Sequence, residues 1–358
     1  MRIVITGASG NLGTAVRRRL SDVGEHEVVV GIARRPPVTP GVPEADGTRW
    51  VAIDLADEAS EGQLRRAMAG ADAVVHLVWG FQPSHDPAYL WQVSVEGSRR
   101  VLQAADASGV RHLVHLSSIG AYSKRTSMHP VDESWPTGGI ATLPYSRQKA
   151  AVEQLLDAYE NSGGRLAVTR IRPGIVGQRS AGSSLLRYTA PAYVPATVLR
   201  HLPVLPLDSR LAIPMVHSDD VADAVVRALQ GEVAGAFHLA ASPPVGTQHI
   251  ARAFGSRAVP FPAAYLRGLA WVAWQARLQP VDPGWLDLAL SVPMLDTARA
   301  ERELGWSPSR TGPEVLDELV QGLVDASSDR TPALRPRTVV GQLARAARRG
   351  PVSHRRLP

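Results

Sequence analysis

The chain has 358 residues, enough for one large α/β domain with a smaller lobe, and its 44% hydrophobic and 20% charged content is that of a globular protein with a buried core. It has no cysteine, which removes disulfides and thiolate metal sites, and no apolar run reaches the roughly eighteen residues that a membrane-spanning helix needs. The formal charge is +6, but eight arginines and no acid lie from Arg330 onward; without them 31 basic residues face 33 acidic ones, so the body carries −2 and does not read as a nucleic-acid binder. The expected partner is therefore a small molecule, with no nucleic acid, no membrane and no metal. Peripheral contact by the tail, whose residues 340–348 could form a short basic amphipathic helix, stays open, as does a homodimer. Residues 1–7 read as a buried strand entering a turn, without the basic start and long apolar run of a signal peptide, so a cytoplasmic location is expected.

In chain order, strands are predicted near 2–6, 27–33, 49–53, 72–78, 112–117 and 166–172, and helices near 11–20, 60–69, 88–108 and 145–161. Several strands are apolar on both faces, as in Ala73-Val74-Val75-His76-Leu77-Val78, which suits a parallel sheet covered by helices on either side. Regularity breaks at 178–213 into a Pro-, Ala- and Leu-rich stretch. It resumes with a strand at 213–216, a helix near 218–230 and a strand at 236–240. A tryptophan-rich part at 241–310 and a helix near 312–326 follow. The fold class expected is α/β, a doubly wound parallel sheet with a smaller, mostly helical lobe assembled from two interrupted segments.

Between the first strand and first helix stands Thr6-Gly7-Ala8-Ser9-Gly10-Asn11-Leu12-Gly13. Glycines here permit a tight turn and close approach of backbone to a pyrophosphate, and the helix start offers free N–H groups to it. The G-x-x-G-x-x-G spacing with the preceding threonine resembles the short-chain dehydrogenase/reductase superfamily, in its extended and atypical branches, and the resemblance covers about residues 1–310. It implies a Rossmann dinucleotide-binding domain at 1–177 and 213–240, a substrate-binding lobe at 178–212 and 241–328, and a flexible basic tail at 329–358. The second strand ends in Arg34-Arg35 with no acid, and two guanidiniums suit a ribose 2′-phosphate, so NADP(H) is expected over NAD(H). By resemblance, Asp54 beside Leu55 contacts the adenine, and Leu77 and Val78 run beneath the cofactor with His76 as a structural strand residue. Ser94 stands where the family has a cofactor-side asparagine, and Leu116, Ser117, Pro173 and Val176 border the nicotinamide half.

Tyr145-Ser146-Arg147-Gln148-Lys149 opens a helix after Pro144. Positions i and i+4 share a helix face, so a phenol and an ammonium can meet in one space, and a cation there would lower the tyrosine pKa and tune it for proton transfer. Only Lys124 and Lys149 are lysines among 39 basic residues, so a lysine at this spacing stands out from an arginine-writing background. The resemblance places Ser118, in Ser117-Ser118-Ile119-Gly120-Ala121-Tyr122, as the third catalytic member with Tyr145 and Lys149. Further similar segments are Arg172-Pro173-Gly174-Ile175-Val176-Gly177, Val216-His217-Ser218-Asp219-Asp220-Val221-Ala222 and the Leu304-Gly305-Trp306-Ser307-Pro308 signature, all read as architectural.

On the substrate side stand Trp79, Phe81, Ser118, Ile119 and Tyr145, with Tyr188, Tyr193, Val194, Leu199, Leu202 and Leu205 in the inserted segment. The apolar run at 264–274 carries Trp271 and Trp274, for which lobe core is the plainer role. Residues 288–294 hold no charge where nucleotide-sugar enzymes of the family carry a pyrophosphate-binding arginine. The reading is an NAD(P)-dependent oxidoreductase acting on a carbonyl or alcohol of an apolar small molecule, with Tyr145 as acid/base. Two alternatives are a sugar or nucleotide-sugar epimerase/dehydratase that retains its cofactor, and a non-catalytic dinucleotide sensor or scaffold.

Overall fold

The computed structural model describes residues 1–24, 28–37, 44, 46–82, 85–189, 202–336, 340–341 and 344. β1 (Arg2–Thr6), α1 (Asn11–Val23), β2 (Val28–Ala33), β3 (Arg49–Ala52), α2 (Ser60–Met68) and β4 (Ala73–His76) open the chain. α3 (Pro87–Trp91), a π-helical turn at Gln92–Glu96 and α4 (Gly97–Ala107) run on as one helical stretch, followed by β5 (His112–Leu116), β6 (Pro130–Val131), α5 (Pro144–Asn161) and β7 (Ala167–Pro173). Next come β8 (Ile175–Gly177), α6 (Gly182–Thr189), β9 (Val204–Leu207), β10 (Ala212–His217), α7 (Ser218–Gly231) and β11 (Gly235–Leu239). The remainder is β12 (Ala241–Gly246), α8 (Thr247–Ala253), β13 (Arg257–Pro260), α9 (Ala263–Gln275), α10 (Gly284–Ser291), β14 (Met294–Leu295), α11 (Ala298–Leu304) and α12 (Gly312–Val324).

Seven strands form one parallel sheet in the order β3-β2-β1-β4-β5-β7-β11. The strand period of two sends alternate side chains to opposite faces, and the chain uses both. Ile3 and Ile5 of β1 pack with Val221 and Val225 of α7, whereas Val4 packs on the other face with Leu64 of α2 and Val101 of α4. Two apolar layers therefore cover one sheet, which is why the sequence shows unbroken apolar strands rather than alternation. The order in which strands are added reverses between β1 and β4, and in open parallel sheets ligands bind beyond the carboxyl ends of the strands at such a switch point.

The strand at 212–217 departs from the expected organisation. It belongs not to the main sheet but to a second sheet ordered β12-β10-β8, pairing parallel with β8 and antiparallel with β12. β9 and β13 pair in a small sheet of their own. The tail also begins differently. Thr331 and Leu334 are buried, so the segment from 329 to 336 packs on the protein instead of trailing from it. Tyr193, Val194, Leu199 and most of 337–358 lie outside the described residues. No helix among the described residues is long and apolar enough to cross a membrane.

The Leu304–Pro308 signature acts as a pin. Gly305 closes α11 in the left-handed conformation, and the indole of Trp306 enters the core, donating from Nε1 to the carbonyl of Asp220 at 2.7 Å. Trp306→Ala should cost about 3–5 kcal/mol through lost packing and the orphaned carbonyl, read as a lower urea midpoint.

Candidate active site

The glycine turn joins the carboxyl end of β1 to the start of α1. Gly7 has φ +76, which glycine adopts without strain, and its N–H donates to Ile32 O at 2.8 Å, tying the turn to β2. A Cβ on Gly7 would lie 3.1 Å from Leu77 C, and one on Gly13 would lie 2.3 Å from Gly7 O, so neither position tolerates a side chain. Gly10 caps α1 without any side-chain hydrogen bond, leaving first-turn N–H groups for an anion. These features fit a dinucleotide pyrophosphate. Asn11 is held by the amide of Gln178, while Leu12 and Ser9 are buried under the turn.

Some residues expected to touch the cofactor face inward instead. Thr6 Oγ1 bonds His76 Nδ1 at 2.6 Å within the sheet, and His76 Nε2 bonds Ser98 Oγ at 2.9 Å. Burial and Lys149 lower His76 to about 3, so this ring stays neutral and takes no part in proton transfer. Ser94 is wholly buried and its hydroxyl accepts the Gly80 N–H at 3.1 Å, holding the loop that carries Trp79 and Phe81. Ser117 donates to buried Glu153. Ile119 is buried in a cluster with Ile140 and Leu143, against which Tyr145 and Trp285 pack. Leu55 is likewise a core residue, Pro173 is buried at the end of β7, and Val176 sits in the second sheet.

At the end of β2, Arg34 Nη1 donates to the hydroxyl of Tyr89 at 2.8 Å. Arg35 is half-buried, with an Nη2 that has no partner among the described residues. Asp54 stands nearby and accepts the Ala56 N–H at 3.0 Å.

Tyr145 and Lys149 lie one turn apart on α5, which Pro144 starts. Burial raises the phenol to about 12, with the Ser118 hydroxyl acting to lower it. Lys149 is buried, lowered to about 7 mainly by desolvation, with Glu153 acting to raise it. Its Nζ donates to Leu116 O at 2.7 Å and lies 3.5 Å from the centre of the Trp79 ring. The expectation that lysine lowers the tyrosine is therefore not met in this arrangement: the ammonium is engaged elsewhere, and burial dominates. Ser118 starts a single 3-10 turn, its Oγ accepting the Gly120 N–H at 2.9 Å.

The tyrosine ring sits in an aromatic box. Phe81 stacks on it at 5.4 Å, Trp79 meets it edge-on at 5.9 Å, and Trp285 approaches to 4.8 Å. Trp79 Nε1 is buried without a partner among the described residues. Trp285 was not among the residues expected at the site; of the tryptophans expected in the lobe, Trp271 is exposed and Trp274 stacks on His85 at 4.1 Å. It also missed Gly120, where a Cβ would lie 2.7 Å from Tyr145 Cε1. Beneath the site, Glu153 is wholly buried and joined by Arg172 at 2.7 Å and Arg170 at 3.1 Å. Arg172 also donates to Tyr122, whose hydroxyl bonds His238.

Comparison with known proteins follows the same outline. A profile of the NAD dependent epimerase/dehydratase family matches residues 3–239. An uncharacterised protein of Mycobacterium tuberculosis is 29% identical over 322 residues, covering 89% of this chain and 29% of that protein. The 2-alkyl-3-oxoalkanoate reductase of Stenotrophomonas maltophilia is 29% identical over 185 residues, covering 49% of this chain and 51% of the reductase. The solved complex of Thermus thermophilus UDP-glucose 4-epimerase with NAD shares the fold, with a TM-score of 0.66 over 90% of this chain and 99% of that one at 24% identity. The aligned part thus spans under a third of the mycobacterial relative and about half of the reductase.

Two expectations follow from this geometry. Gly120→Ala should push the Tyr145 ring against Phe81 and Trp285, at a cost of about 1–3 kcal/mol read as a lower urea midpoint, with altered tyrosine and tryptophan fluorescence. Because Lys149 titrates near 7 when folded against 10.5 ordinarily, the unfolded chain binds the extra proton between those values. Stability should therefore rise as pH increases from about 7 toward 10. Denaturant titrations across that window should show the rise in the parent and a flattened profile in Lys149→Met.

Proposed function

The chain belongs to the NAD dependent epimerase/dehydratase family, and from that premise we propose that it is an NADP(H)-dependent reductase or dehydrogenase acting on a carbonyl flanked by apolar groups. The observation that carries this reading is the aromatic box of Trp79, Phe81 and Trp285 around the one phenol that Ser118 also reaches. Uncharged walls of this kind suit an apolar carbonyl compound better than a sugar nucleotide. The reductase relative, named for a 2-alkyl-3-oxoalkanoate, lends support to the same class. Arg34 and Arg35 support NADP(H) over NAD(H).

A bound dihydronicotinamide supplies a hydride to the substrate carbon. The residues of the chain handle the oxygen. Ser118 holds it by a hydrogen bond, and the Oη–H bond of Tyr145 breaks as its proton passes to that oxygen, completing the alcohol. A phenol raised to about 12 is fully protonated near neutrality, so it stands loaded as an acid for the reductive direction. Lys149, one turn later on the same face, is held by Leu116 O and the Trp79 ring, and it stabilises the resulting phenolate only by turning from them toward the phenol. In oxidation the same groups act in reverse. Arg34, Arg35 and the α1 N-terminus bind the phosphates, and the aromatic walls exclude water from the reacting oxygen.

The test is a panel of carbonyl compounds read by the loss of NADPH absorbance. Tyr145→Phe should lower turnover about 10²–10⁴-fold while NADPH still binds. Unchanged turnover in that variant would remove Tyr145 as the acid. Product formation with no net consumption of NADPH would point instead to an epimerase that restores its cofactor within each turnover.

A further inference from the structure

Apolar save for Arg267 and Gln275, α9 has the composition of a buried helix, yet one side of it meets water. Tyr265, Leu269, Val272 and the capping Ala276 recur at i, i+4, i+7 and i+11, which is one stripe along the helix, and all four are exposed, Tyr265 by 68% and Leu269 by 66%. Ala264, Gly268, Trp271 and Gln275 are exposed beside the stripe, so this outer arc holds one polar side chain and no charge. Ala263 is buried and Leu266, Ala270 and Trp274 are half-buried on the opposite side, where the helix packs on the protein. Arg267 pairs with Asp287 of α10 at 2.9 Å, and α10 carries Trp285 to the phenol of the site. The outer arc therefore stands one helix away from the aromatic box.

The apolar surface runs on along the chain. β13 leads into α9 through Phe261, whose ring meets that of Tyr265 edge-on at 6.0 Å. β13 pairs with β9 so that Arg257 lies beside Val204 and Val259 beside Pro206, and the strand period puts these four residues on one face, where all are exposed. Charge in this part of the chain has one sign. From Val233 to Val281 the sequence contains no Asp or Glu but has Arg252, Arg257, Arg267 and Arg277. Arg252, Arg257 and Arg277 are exposed. The carboxylates that bond to α9 are each matched by a guanidinium, Asp287 by Arg267 and Asp208, which accepts the Ala263 N–H, by Arg210 at 2.7 Å.

We propose that the outer arc of α9, with the exposed arginines of this segment, docks on an anionic phospholipid membrane surface. A contiguous apolar face turned to water marks a contact surface, and the positive charge accompanying it selects anionic headgroups. Leu269 and Val272 enter the boundary between headgroups and acyl chains, Tyr265 and Trp271 lie at headgroup level, and the guanidiniums bind lipid phosphates. A second copy of the chain would bring the same arginines against each other, whereas headgroup phosphates neutralise them. The protein lies on the bilayer and does not span it, in keeping with the length of the described helices. This departs from two expectations, no membrane contact and a place in the lobe core for Trp271. It stands whether or not the reductase reading holds.

The experiment is flotation of the full-length protein with vesicles of phosphatidylcholine alone and of phosphatidylcholine with about one-third phosphatidylglycerol. The variants are Leu269→Glu/Val272→Glu, Arg252→Ser/Arg257→Ser and, as an exposed apolar control elsewhere, Met128→Glu. Expected are binding of the parent and of Met128→Glu to the anionic vesicles and a loss of about tenfold or more in Leu269→Glu/Val272→Glu at an unchanged Tm. Arg252→Ser/Arg257→Ser should lose about fivefold per arginine, and added salt should weaken the parent in the same way. A second measurement needs no acidic variant: lipid brominated in its acyl chains should quench tryptophan fluorescence of the parent, and Trp271→Phe should remove most of that quenching. If Leu269→Glu/Val272→Glu binds anionic vesicles as the parent does, the contact belongs to the arginines from Arg330 onward and the proposal falls. Quenching that survives Trp271→Phe overturns it as well. A parent that binds neither vesicle also overturns it, and a dimer in sedimentation velocity that Leu269→Glu/Val272→Glu dissociates would then assign the face to a second copy.

Discussion

A wholly buried carboxylate organises this molecule. Glu153, on α5, is met by Arg172 and Arg170 from β7 and by the hydroxyl of Ser117 at the end of β5. Any one partner alone would leave a buried charge exposed to a medium that cannot solvate it, so the four groups hold or fail together. The outcome is geometric rather than a large gain in stability. α5 cannot slide or rotate against β5 without breaking the cluster, and α5 carries Tyr145 and Lys149 two turns and one turn before Glu153. The hydroxyl of Ser118 is thereby placed beside the phenol.

The cluster also extends into the lobe. Arg172 passes to Tyr122, Tyr122 to His238, and His238 Nδ1 to Asp296 O at 3.0 Å, just before α11. Burial lowers His238 to about 4, so it works as a neutral relay of hydrogen bonds. The edge strand of the main sheet and the segment leading to the Trp306 pin are thus joined to the floor of the site. On the opposite wall α10 brings Trp285 over the tyrosine, while Gly120 leaves room beneath it. The site is a joint product of core and lobe, closed by rings that none of the backbone motifs encodes.

Charge has two different uses. The core has a nearly balanced composition and buries its ions in pairs, whereas the C-terminal arginines stand in excess. The first stretch of that excess is packed down by Leu334 and held on α6 by Arg187.

Local periodicity carried much of the result. Unbroken apolar strands, the glycine turn and the i, i+4 relation of Tyr145 and Lys149 are all relations between neighbours, and backbone geometry alone translates them into strands, faces and turns. That is why the seven-stranded sheet and the phosphate turn were legible in the sequence. Other features join residues that no period connects. Trp285 meets Tyr145 across 140 positions, and Arg172 finds Glu153 from the next element. Thr6 and Ser94 were expected at the cofactor, yet their hydroxyls bond within the protein, to His76 and to the Gly80 N–H. The sequence determined which residues are chemically able to act. Only the packing of strand ends and lobe decided which of them meet, because burial and proximity are properties of the assembled fold and not of any segment within it.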